Sequence, residues 1–553
     1  NGYNVAIGYD AGLNVSTGTF NTLIGGLAGD ALTTGIDNVA LGYTALSTED
    51  TGSRNVAIGT EALRNLNFDG TGYNVAVGFQ AGTTMTTGVQ NTIVGSLAGD
   101  ALTTGTGNVA VGYLSLSTED ANGNNVAIGA NTLKVQNAGA DAYNVAVGYN
   151  AGIAVTTGVQ NTIVGGLAGD AITTGVNNVA LGYQSLTAAT TSSFNVSMGS
   201  FSMTNNILAA RNVGIGYNSL NQLNTGSATD TYNTAVGFTA GGAITTGVKN
   251  TLVGGNAGDS LTIGNNNTAL GYLALSTSVD GDCNTAIGSS ALESYEDGDG
   301  NGHNTAVGNS SQLNASTGEF NTSLGSLSMG VGVVTGDYNV AIGYKAGEDM
   351  TSATTNTLVG TFAGLNITSG ANNTAVGYEA LKTENAHGSN TAIGTQTLNN
   401  LDAGTDGLNT AVGHQAGLQM TTGVNNTVIG ALAGDALTSG SYNVAIGRNA
   451  LSAEDAHGTN VAVGYDTLAL QNAGADAFNT AVGYTAGVNV STGTHNTLIG
   501  ANAGDALTTG AGNVAVGFNA LTTEDGNGTA TAIGYRALAT LNAGAESYNV
   551  AVG

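Results

Sequence analysis

The apolar residues of this chain come in short runs of one fixed outline. Asn4-Val5-Ala6-Ile7-Gly8 sets it, and Asn21 to Gly25, Asn38 to Gly42 and Asn55 to Gly59 repeat it; the pattern returns thirty-two times. The Gly never fails. The residue before it is always apolar, as in Ile7, Ile24, Leu41 and Ile58, with Met198 the one unbranched case. The leading Asn fails once, at Ala530. Runs this short, rich in Val, Ile and Thr and bounded by Gly and Asn, predict strands and turns and leave no room for helices. A motif copied along the whole chain places its job in a repeat architecture.

The spacing from Asn to Asn gives the pitch. The step from Asn4 to Asn21, to Asn38 and to Asn55 is 17 each time, and the next, to Asn74, is 19. Four rungs make a super-repeat of period 70, which fits 4–73, 74–143, 339–408, 409–478 and 479–548. The middle is less regular: 144–232 holds an extra rung, 233–303 runs one residue long, and 304–338 holds two rungs. Whole-rung insertions suit a stack in which each rung touches only its neighbours. The expected fold is all-β: a parallel β-solenoid of about 32 rungs, with two short strands and two bends per turn, stacked at ~4.8 Å. The chain begins and ends in the same phase of the repeat, and the expectation is one continuous array excerpted from a longer chain.

Each repeated residue has a physical reading. Numbering each rung from its Asn, positions two and four share one strand face, so Ile7, Ile24, Leu41 and Ile58 are expected to point into the solenoid. Gly8, Gly25, Gly42 and Gly59 are expected in a backbone conformation closed to other residues. Asn4, Asn21, Asn38 and Asn55 are expected to form a hydrogen-bonded ladder. Position three is Ala in most rungs but grows in second rungs to Leu23, Ile93 or Ile163, where position six shrinks to Gly or Ser. Bulk is moved about within a fixed packing volume. Position three is hardly ever polar, so both strand faces read as buried, and Leu23, Ile93 and Ile163 are expected to meet a neighbouring chain.

Composition narrows the function classes. The chain has 89 Gly, no Pro, no Trp, one Cys and a net charge of −28. So few basic residues argue against nucleic acid, and no apolar run is long enough to predict membrane insertion. The absence of Pro fits strands that are all interior to a sheet. Cys283 alone rules out an internal disulfide framework. The five His read as unrelated in the repeat, with no His-Glu-x-x-His or paired-Cys spacing, so no zinc site is expected. Nothing sets a nucleophile beside a base, and no enzyme activity is expected. One calcium candidate stands out: Asp297, Asp299 and Asn301, within Asp297-Gly-Asp299-Gly-Asn301-Gly302, match the opening of a calcium loop but lack its closing Glu. Glu49-Asp50, Glu119-Asp120, Glu454-Asp455 and Glu524-Asp525 read as a solvated, solubilising edge.

The Asn-Val-Ala-Ile-Gly rung, carried by Asn4 to Gly8, Asn55 to Gly59 and their copies, resembles the head repeat of trimeric autotransporter adhesins of the YadA type. Similar repeats also resemble shaft segments of phage tail fibres. The resemblance implies a left-handed parallel β-roll, assembled as a homo-trimer, on a cell or virion surface. This rung is longer than that family's, and the four-rung super-repeat is a further departure. The expected function is a structural component of an extracellular fibre. Any cell-surface or glycan receptor would be met through other regions. A self-assembling filament or matrix polymer is the alternative, followed by a regular surface for ice or polysaccharide.

Overall fold

The computed structural model describes residues 2–296, 301–526, 528–545 and 548–553. It is a parallel β-solenoid of about 32 turns, with no helix among the described residues. Two compact units divide the chain, Asn1–Asp280 and Gly281–Gly553. In the first, the strands run from Val5–Ile7 to Thr268–Leu270; in the second, from Thr285–Ile287 to Val550–Val552.

Within each unit every strand pairs in parallel with the equivalent strand of the next rung. Val5, Ala6 and Ile7 oppose Thr22, Leu23 and Ile24; in the second unit Thr305, Ala306 and Val307 oppose Thr322, Ser323 and Leu324. Longer rungs keep this register. Val56 still opposes Val75 across a step of 19, and Val213 opposes Thr234 across a step of 21. The extra residues are taken up in the turns, in one case by a small added pairing of Ala209–Ala210 with Thr229–Asp230.

Apart from the two rungs joined by that added pairing, each rung holds one three-residue strand among the described residues, not the expected two. The reason lies at positions seven and nine, which adopt left-handed backbone: Asp10 (φ 54°) and Gly12 (φ 61°), Thr44 (φ 53°) and Leu46 (φ 51°). These residues break the second half of the rung into successive turns. The turns remain hydrogen-bonded from rung to rung, as in Gly12 N–H to Ala28 O (2.9 Å) and Leu27 N–H to Tyr9 O (2.8 Å). Backbone donors are therefore used all round the rung, which accounts for the missing Pro.

The strand faces are the reverse of the sequence expectation. Position three points inward: Leu23, Ala40, Ala57, Ile93 and Ile163 are fully buried. Positions two and four point outward. Leu41 is 42% and Ile128 38% exposed, and Ile24, Ile58, Val77 and Val147 are half-buried. Leu23, Ile93 and Ile163 are thus core residues of their own chain and cannot form an interface. A slender rung has room inside for one residue of the three-residue strand, and small Ala suits that place best.

Packing inside explains the exchanges in the sequence. A Cβ on Gly12 would lie 2.7 Å from Leu23 Cδ1, and one on Gly29 2.8 Å from Leu23 Cδ2. The second-rung Leu thus fills the space that position nine leaves empty in two successive rungs. In third and fourth rungs position three is Ala, and Leu46 and Leu63 at position nine fill the space instead, both fully buried. Their left-handed backbone costs about 1 kcal/mol, and burial of a Leu offsets it with about 2 kcal/mol.

The inward face makes a direct comparison possible. Ile163→Asp puts an unpaired charge in the interior and is expected to cost several kcal/mol, opening new protease cleavage near that rung. Its neighbour Val164→Asp, on the outer face, is expected to open no new cleavage within that rung.

Candidate functional surface and a buried carboxylate loop

Two ladders hold the strand in place. Each Asn accepts the backbone N–H at position one of the next rung through Oδ1. In first, second and third rungs its Nδ2 donates to the carbonyl at position fifteen of its own rung; in fourth rungs such as those of Asn55, Asn390 and Asn460 it turns back to the carbonyl two residues before it. Asn21 N–H donates to Asn4 Oδ1 at 2.9 Å, and Asn21 Nδ2 to Gly35 O at 2.9 Å. The same pair recurs at Asn38 with Gly52, at 3.0 and 2.8 Å. Asn55 donates its N–H to Asn38 Oδ1 at 2.9 Å. One amide thus closes its own turn and fixes the next. Ala530 still donates its N–H to Asn513 Oδ1, but it has no side-chain oxygen to pass the ladder on.

The Gly ladder is set by both conformation and space. Gly8, Gly25, Gly42 and Gly59 have φ of 137°, 133°, 142° and 134°. A Cβ on Gly8 would lie 2.5 Å from Gly25 O, and one on Gly25 2.5 Å from Gly42 O. The obstacle is backbone and cannot turn aside.

Outside, the sheet presents parallel columns. Position two is Val or Thr and position four Val, Ile, Leu or Met. Position six carries Tyr or Phe in many rungs, and the residue before the Asn is often aromatic as well. Neighbouring rings stack: Tyr3 on Phe20 at 5.5 Å, His303 on Phe320 at 5.0 Å, Phe320 on Tyr338 at 5.2 Å, Tyr465 on Tyr484 at 5.4 Å. Many of these rings are about half exposed, among them Tyr43, Phe79, Tyr183 and Tyr272. In each unit this makes an outward apolar face that runs from rung to rung.

The acidic series is a solvated edge only in its Asp members, with Asp120 and Asp525 exposed; its Glu members turn inward. Glu49, Glu119, Glu384, Glu454 and Glu524 stand at position twelve of third rungs and are buried. That column is otherwise largely apolar: Leu32 precedes Glu49 and Leu66 follows it, while Glu384 lies between Ile367 and Leu401, all fully buried. The carboxylate caps the following turn. Glu49 Oε1 accepts from Gly52 N–H at 2.6 Å and Oε2 from Phe68 N–H at 3.2 Å. Glu384 and Glu454 accept from His387 N–H (3.2 Å) and His457 N–H (3.3 Å). Burial pushes Glu49, Glu119, Glu384 and Glu454 above the ordinary carboxylate value, partly offset by the backbone donors. Glu384 and Glu454 are raised from 4.5 to about 7.

His387 and His457 stand at position fifteen of third rungs, one super-repeat apart. The reading of the His as unrelated missed this spacing; a Glu-x-x-His shared by two super-repeats was the available signal. Among the calcium candidates, Asp297 and Asp299 lie outside the described residues, and Asn301 is exposed. Comparison with protein families and with curated proteins finds no match.

The raised carboxylates make stability depend on pH. Below about 4.5 the proton is held in both folded and unfolded chain, and no penalty arises. As pH rises, the unfolded chain ionises first, and the penalty is complete once the folded groups ionise above about 7. With chelator present, the melting temperature is expected to fall from pH 5 to pH 8. Glu384→Gln with Glu454→Gln should flatten that fall, and raise stability at pH 8 by on the order of 1 kcal/mol per site.

Proposed function

We propose that the chain is a non-enzymatic structural component of an extracellular fibre, an adhesin head or a tail-fibre shaft on a cell or virion surface. It assembles as a homo-oligomer through the outer face of its strands. One observation carries the reading: the outward columns of Val, Ile and Leu, flanked by stacked aromatics, form an apolar face that no part of the same chain covers in the described rungs. Monomeric soluble proteins rarely leave contiguous apolar patches beyond a few hundred Å² exposed. A repeated strand face, used in register by two or three copies, buries such a surface without a gap. An apolar strand face still calls for a second chain, but positions two and four supply it in place of position three. The likeness of the rung to adhesin head repeats supports a trimer over an open polymer.

Light scattering tests this. The unsubstituted chain is expected to run as an oligomer, and Val145→Lys, Val147→Lys and Val164→Lys together to shift it toward soluble monomer with unchanged β-rich circular dichroism. An unsubstituted chain that stays monomeric at high concentration overturns the reading.

One observation favours a second reading. Position two is Thr in five consecutive rungs, Thr357, Thr374, Thr391, Thr410 and Thr427, and Thr and Val are nearly isosteric. A column of methyls and hydroxyls at the ~4.8 Å strand spacing is a regular template for ice or a polysaccharide. Thermal hysteresis in the monomeric variant would favour that reading; its absence leaves the fibre.

A further inference from the structure

The two Glu-x-x-His loops carry features that turn-capping does not use. Glu384 is fully buried, and its Oε2 makes no hydrogen bond of ordinary geometry; the Ala403 N–H gives the carboxylate only a weaker electrostatic contact. His387 Nδ1, also out of contact with water, makes no hydrogen bond either, and it lies 3.9 Å from Glu384 Oε1. The next super-repeat repeats the arrangement: Glu454 Oε2 and His457 Nδ1 are buried without partners, with Nδ1 3.7 Å from Glu454 Oε1. A third carboxylate completes each group. In the first it is Asp402, from the following rung; in the second it is Asp455, beside Glu454. In each group one ligand atom per residue lies within 4.8 Å of the others.

Equivalent rungs differ at these places. Where Asp402 stands, the other super-repeats of this type carry Asn67, Asn137, Asn472 and Asn542. At the place of His387 and His457 stand Gly52 and Asn122. The turn is therefore built without His, and without Asp at the place of Asp402. The Glu119 loop, whose Oε2 is likewise without a partner, carries Asn122 and Asn137 instead, while Asp455 has counterparts in Asp50, Asp120 and Asp525. Orphaned buried polar atoms are costly and need an explanation.

We propose that Glu384, His387 and Asp402 form a binding site for a divalent transition-metal ion of the zinc class, and that Glu454, Asp455 and His457 form a second. One imidazole nitrogen with two carboxylate oxygens suits zinc or cobalt, whereas calcium and magnesium take oxygen alone. Donor atoms bound to one tetrahedral ion at ~2.0 Å sit about 3.3 Å apart. The Glu–His separations of 3.9 and 3.7 Å exceed that by about half an ångström, and the Asp donors lie within 4.8 Å of the others, so side-chain rotation has to close each group around the ion. The imidazoles are 32% and 28% exposed, which leaves a path for the ion and a place for water as the fourth ligand. In the first site the ion joins two rungs, since Asp402 belongs to the rung after Glu384. Bound metal would thus staple neighbouring turns at a place where the fold otherwise carries a buried, uncompensated carboxylate.

The experiment uses the full chain, stripped with chelator and titrated with Zn²⁺ by calorimetry and with Co²⁺ by visible absorption. Saturable uptake of two ions per chain is expected, with the intense absorption of four-coordinate Co²⁺ and a rise in melting temperature. His387→Asn is expected to remove one ion and His387→Asn with His457→Asn to remove both. Asn122 shows that the turn accepts Asn there, and unchanged circular dichroism confirms it. Asp402→Asn, a residue the scaffold carries at Asn67, should weaken the first site at least about tenfold and spare the second. The proposal is overturned by no saturable uptake, by unchanged stoichiometry in the double His variant, or by Ca²⁺ displacing Co²⁺ at comparable concentration.

Discussion

The distance between rungs is the constraint on which everything else depends. At position five the carbonyl of one Gly occupies the space where the Cβ of the preceding rung's residue would stand, 2.5 Å away at Gly8 and Gly25. The backbone there also takes a φ near 137°, which side chains rarely allow. Any larger residue would push two rungs apart and break the parallel pairing on both sides. Beside this contact the Asn ladder ties the same two rungs through Oδ1 and closes the turn through Nδ2. The pair explains why Asn and Gly are the fixed letters of the repeat, while the residues between them vary.

From that contact the rest of the rung follows. Stacking this close leaves a narrow interior, filled by position three and by positions eight, nine and twelve of the turns. Large residues are rationed: Leu23 inside requires Gly12 and Gly29 around it, and Leu46 inside goes with Ala40. The aliphatic residues at positions two and four have no place within and form the outer face. The same narrowness makes a Glu in the position-twelve column consequential. Glu384, set between Ile367 and Leu401, accepts the His387 N–H at one oxygen and makes no hydrogen bond of ordinary geometry at the other.

Much of the architecture was legible in the sequence. The Asn-to-Asn spacing carried rung length, strand location and parallel stacking, and the observed register keeps it even across the long step from Val213 to Thr234. The direction of the strand was not legible, because both faces are apolar. Val5 and Ile7 look more like core residues than Ala6 does, yet a slim rung prefers the smaller side chain inside. The missing second strand could not be read either. Leu46 and Leu63 do not announce a left-handed backbone, since the cost is met by tertiary burial and not by local preference. Charge misled in the same way. Glu49-Asp50 resembles a solvated edge until the turn folds its first carboxylate under the next rung. The spacing of His387 and His457 is plain in the chain, but only the buried loop gives it a chemical meaning.

Native-state amide hydrogen exchange tests the central claim most directly. If the Asn and Gly ladders hold the rungs together, the N–H groups of position one and position five should be among the slowest to exchange in every interior rung, Asn161, Gly165, Asn178 and Gly182 among them. The turn amides on the opposite side should exchange faster. Exchange of Asn161 and Gly165 as fast as the surrounding turn amides would contradict the claim.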